Sequence, residues 1–174
     1  MADTNHNSRL EAFCDGVFAI ALTLLIINIK IPPGEKINNT PGLWLALKHI
    51  IPPVLAFVLS FIIILITWVN HHNSLKLVNK SSASFIYANG FMLLTVVFIP
   101  FPTSLMGEYI LTNYAAPAVI LYNTTLAVQA LSWILLTGSA IKDHLGKNEK
   151  STLQIRNNGK FGYFAFAFIL FVQS

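Results

Sequence analysis

Arg9, Glu11 and Asp15 stand at the head of the apolar run Gly16-Val17-Phe18-Ala19-Ile20-Ala21-Leu22-Thr23-Leu24-Leu25. Charges at the entry of a membrane helix are costly, so they face protein or water and find partners. Position alone lets Arg9 and Glu11 sit at the water interface. Asp15 lies a turn deeper and needs a partner. Trp68, His71 and His72 form the second polar group, closing another apolar run. The histidines read either as a proton-sensitive or metal-binding pair, or as interfacial residues, one of them hydrogen-bonded to Arg9 or Asp15. The second reading is preferred, because no third ligand stands nearby. No nucleophile with a general base, paired carboxylates, phosphate-binding glycine loop or metal motif appears, so the sequence offers no catalytic set and no cofactor site.

A helix turns about 100° per residue, which places Ile20, Thr23, Leu24 and Ile27 on one stripe. Phe13, Gly16 and Ile31 extend it. Asp15 falls about 140° from Ile20. If the stripe faced a pore, Asp15 would face neighbouring helices and act as an anchor. The spacing does not decide this, since the same pattern more often serves plain helix packing.

The elements that position these residues follow from composition. Of 174 residues, 55% are hydrophobic and 10% charged, against about 25% charged in soluble domains. So much apolar surface on so short a chain requires lipid. A spanning helix takes about 20 apolar residues, and four segments qualify: 10–31, 43–69 (broken near its start by Pro52-Pro53), 85–105 and 115–141. A fifth apolar run, 161–172, is too short and reads as a helix cut off or as an interfacial segment. None shows the alternation of a membrane barrel.

The net charge of +4 does not point to nucleic acid, because the cations sit in loops between apolar runs. With the N-terminus in the cytosol, that side receives Arg9, Lys76, Lys80, Lys142, Lys147, Lys150, Arg156 and Lys160. The other side receives only Lys30, Lys36 and Lys48, as the positive-inside rule requires. The stretch from Asp143 to Arg156 reads as a solvated loop. Lys30 is expected to snorkel, screened by Glu35 or lipid headgroups. Cys14, the one cysteine, excludes an internal disulfide.

Arg9, Phe13, Cys14 and Asp15, followed by Gly-Val-Phe-Ala-Ile-Ala-Leu-Thr, resemble the Arg-x-x-x-Phe-Ser-Asp signature of the transmembrane protein 175 family of potassium channels. The ending Trp68-Val69-Asn70-His71-His72 is also similar to the family's. The resemblance implies a bacterial single repeat of six helices, here with the last helices incomplete, assembled as a homotetramer around a central pore lined by the first helix. It implies a hydrophobic constriction at Ile20, further layers at Leu24 and Ile27, and a coordinating hydroxyl at Thr23. Arg9, Phe13, Cys14 and Asp15 would serve packing and hydrogen bonding around that helix, with Trp68, His71 and His72 as partners. Cys14 replaces the signature's serine, and a thiol is the weaker hydrogen-bond partner. A missing helix would hinder assembly unless the protein continues.

The sequence thus leads to an all-α, polytopic transmembrane bundle, residues 1–174 forming a single channel domain in a bacterial inner membrane. It would pass monovalent cations passively. No Thr-Val-Gly-Tyr-Gly filter is present, so the preference for potassium is expected to be modest. A secondary transporter or a non-conducting scaffold are the alternatives. Pro52-Pro53 breaks a helix as transporters do, but no matching second half is seen.

Overall fold

A computed structural model describes residues 7–30, 33–34, 37 and 39–173, with side chains placed through residue 160 and at Gly162. The helices are α1 (Ser8–Ile27), α2 (Thr40–His49), α3 (Ile51–Leu77), α4 (Ala83–Phe98), α5 (Pro100–Tyr109), α6 (Ala115–Lys142) and α7 (Glu149–Gln173). Among the described residues, extended pairing is confined to one antiparallel bridge between Val78 and Gly146. Four stretches are long and apolar enough to cross a membrane: α1, α3, the α4–α5 pair and α6.

The prolines act as helix starts. The run expected as one helix over 43–69 divides at Ile50 into α2 and α3. Pro52 and Pro53 occupy the first turn of α3, where the missing N–H would have had no intrahelical acceptor. The polar stretch after Val69 stays helical to Leu77, because His71 and Ser74 bury themselves in the bundle. Pro100 and Pro102 likewise break the third run at Ile99 and open α5.

The region expected to be a solvated loop up to Arg156 is helical from Glu149. Asn148 caps it, its Oδ1 accepting from the Ser151 N–H at 2.8 Å, and Glu149 sits in the first turn where an acid suits the helix dipole. This polar half of α7 packs because it is small where it meets α6. A Cβ at Gly162 would approach Trp133 Cδ1 to 2.8 Å, and one at Gly159 would approach Thr137 Oγ1 to 2.9 Å. Trp133 Nε1 then donates to the Asn158 carbonyl at 3.0 Å.

The core joins Cys14, Phe18 and Leu25 of α1 to Ile64 of α3, Met92 and Val96 of α4, and Leu136 of α6. Polar pins cross it at several depths. Ser60 Oγ lies 2.7 Å from Thr103 Oγ1 and 3.0 Å from Tyr122 Oη, and Gln129 Nε2 donates to Thr67 Oγ1 at 2.9 Å. Such bonds fix which helix faces which where lipid supplies no hydrophobic drive between helices.

Candidate pore helix and its anchors

α1 has two faces. Cys14, Phe18, Ala21 and Leu25 are buried, one per turn. Opposite them, Phe13 is 62% exposed, Ile20 58%, Leu24 38% and Ile27 71%, while Arg9, Gly16 and Thr23 are exposed on the same side. A Cβ at Gly16 would meet nothing within 4 Å. The stripe read from the periodicity is therefore exposed from Phe13 to Ile27, least so at Leu24, while Ile31 lies outside the described residues. Ala12, Ala19 and Ile26 are exposed as well, so the open face is broader than that stripe. Thr23 donates its hydroxyl proton to the Ile20 carbonyl at 2.9 Å. Only acceptor lone pairs are then left to face outward, the polarity a cation requires.

The signature residues divide between the faces. Cys14 Sγ accepts from Asn89 Nδ2 at 3.1 Å. Asn89 Oδ1 lies 2.6 Å from His71 Nε2, so His71 donates there. Its Nδ1 is buried and without a hydrogen-bond partner among the described residues, beside a cavity of about 10 Å³ shared with Ser74 and Thr137. Phe18 packs on the His71 ring with centroids 5.3 Å apart. Asp15, half-buried, accepts from Trp68 Nε1 at 2.8 Å. Trp68 stacks on His72, whose Nδ1 lies 3.2 Å from Glu11 Oε1. The histidines therefore sit against Asn89 and Glu11 rather than Arg9 or Asp15: His71 is hydrogen-bonded to Asn89, and His72 Nδ1 lies near Glu11 without a hydrogen bond among the described residues. Proximity along the chain hid this, because adjacent histidines on a helix point about 100° apart.

Two contacts at the other end of α1 escaped the sequence reading. Asn28 Nδ2 donates to the Pro100 carbonyl at 3.1 Å, and Lys30 Nζ pairs with Glu108 Oε2 at 3.1 Å. Protein thus screens Lys30, through a residue far along the chain; of the two expected screens, Glu35 or lipid headgroups, Glu35 lies outside the described residues. Among the described residues no group of three or more histidines, cysteines or acids could hold a metal.

Residues 9–100 match the family described as endosomal/lysosomal potassium channel TMEM175. The chain belongs to this family. A potassium channel of Chamaesiphon minutus is 46% identical over 120 residues, 69% of this chain and 59% of that relative. One of Streptomyces collinus is 41% identical over 137 residues, 75% of this chain and 65% of the relative. The chain therefore spans somewhat under two thirds of the length of both. The crystal structure of a lysosomal potassium-selective TMEM175 homologue from Chamaesiphon minutus superposes with a TM-score of 0.78 at 38% identity, covering 95% of this chain and 87% of that one. The chain is accordingly an all-helical, multi-pass membrane protein, and TMEM175 proteins are channels rather than enzymes.

Proposed function

We propose that this protein is the subunit of a potassium-preferring cation channel that conducts passively. Four copies would surround a pore lined by α1. Ile20 would form the constriction, Leu24 and Ile27 further apolar layers, and Thr23 an oxygen ring beside them. The observation that carries this reading is the two-faced α1. Its inner face is locked to α3 and α4 through Asp15–Trp68 and Cys14–Asn89, while the whole Ile20 face is left open. The small residues on that face, Ala12, Gly16, Ala19 and Thr23, suit close approach of equivalent helices. A constriction of isoleucine side chains controls flow by dewetting. The potassium-channel relatives support potassium as the ion, and the cation bias of the loops supports a cytosolic N-terminus in a bacterial inner membrane.

The test is the zero-current potential of the purified protein in planar bilayers under opposed potassium and sodium gradients. A potential displaced towards the potassium equilibrium value is expected. A sodium-to-potassium permeability ratio near one would remove the selectivity claim, and saturable uptake coupled to a counter-ion would favour a transporter.

A further inference from the structure

The charge balance beyond the outer end of α1 raises a difficulty for any cation pore. In the orientation above, the outer loops carry Lys30, Lys36 and Lys48 against only Glu35 and Glu108. Lys30 lies three residues past Ile27, the last residue of α1. In a ring of four α1 helices, each about 10 Å across, four ammonium groups would stand around the outer mouth. Like charges there repel the permeant ion and lower its local concentration.

The structure answers with one residue. Glu108, at the end of α5, reaches Lys30 with Oε2 3.1 Å from Nζ. The side chains are 79% and 53% exposed, and an ion pair so exposed adds little to stability. Its effect lies instead in the field at the mouth. The approach is fixed by its surroundings: Asn28 ties the end of α1 to the Pro100 carbonyl at the start of α5. Gly107, next to Glu108, also lets α5 lie against α3, since a Cβ there would meet Pro53 Cα at 2.8 Å. Lys30 and Glu108 together border a cavity of about 170 Å³ between these helices, with His49 on the same wall.

We propose that Glu108 sets the rate of cation entry at the outer mouth by neutralising Lys30, which makes it a conductance-determining residue although it lies outside the pore helix. The proposal rests on the reading of α1 as the pore helix. Its test is the unitary potassium conductance of the whole chain in planar bilayers at about 10 mM and about 1 M KCl, where the screening length falls from about 30 Å to about 3 Å. Glu108→Gln is expected to lower conductance at the low concentration by about two- to ten-fold, more for current entering from the outer side, and to leave it unchanged at 1 M. Lys30→Gln should raise it at low salt, and the double variant should return to the wild-type value. A conducting wild type whose single variants match it at 10 mM, or fall equally at both concentrations, overturns the proposal while leaving the pore reading standing. A wild type that never conducts overturns both.

Discussion

Asn89 bridges two side chains that the sequence leaves far apart, donating to Cys14 Sγ and accepting from His71 Nε2. Replacing it with alanine strands a buried imidazole N–H in an apolar core, and a buried donor without its acceptor costs about 1–3 kcal/mol. Asn89→Ala should therefore lower the thermal midpoint of the detergent-solubilised protein, whereas Cys14→Ser, which supplies a stronger acceptor of similar size, should hold or raise it. A loss of stability in Cys14→Ser equal to that in Asn89→Ala would contradict this pairing. At this scale the sequence was only half legible. The depth of Asp15 announced that it needed a partner, but nothing in the spacing named Trp68 over His71 or His72, because which residues meet across two helices depends on their rotation and register. Asn89 forms interhelical hydrogen bonds, as polar residues inside apolar helices usually do. Its link to Cys14 required the fold.

The helices themselves were more legible. The four apolar runs correspond to α1, α3, the α4–α5 pair and α6, because length and apolarity are what a bilayer demands. The misreadings lie where other forces decide. The break at Pro52-Pro53 was legible, though not that the prolines open α3; the apolar run 161–172 was read as a short helix or interfacial segment, and the first half of α7 was read as a loop because it is polar and held by a cap and small-residue packing. The open stripe of α1 can be tested as an element. Cys14 is the one cysteine in the chain and is buried, so single cysteines introduced elsewhere report cleanly. Cysteines at Thr23 and Ile27 should react with a water-soluble thiol reagent and those at Ala21 and Leu25 should not; equal reactivity on both faces would refute a water-lined stripe. A second prediction concerns the clasp between α4 and α6. Ser82 and Ser84 both donate to Asp143 Oδ2, the latter at 2.5 Å. These hydroxyls, Ser82 foremost, hold the Asp143 carboxyl below its usual range. Because the folded-state value is depressed, the stabilisation is present at neutral pH and is lost as pH falls through that value, below about pH 4. Thermal midpoints measured from pH 6 to pH 3 should fall less steeply for Asp143→Asn than for the wild type, and parallel curves would count against the clasp.

For the molecule as a whole, the proposed pore accounts for the exposed face of α1. Four chains meeting along it would leave α1 enclosed and α3 towards lipid, where Leu55, Ile62 and Ile66 are exposed. A native mass four times the 19.3 kDa of one chain is expected for the solubilised protein, and a monomer that still conducts would contradict the arrangement. Assembly was the least legible level of the sequence, since a stripe facing a pore and one facing a neighbouring helix share the same period; resemblance alone suggested four copies. The central claim is that Ile20 is the narrowest, dewetted layer of a pore. It is tested most directly by potassium flux into liposomes carrying the wild type or Ile20→Asn. A side chain that water wets should lower the barrier, so the account predicts measurable wild-type flux and a severalfold rise in Ile20→Asn. Flux that is unchanged or reduced in a variant that is folded and assembled would contradict it.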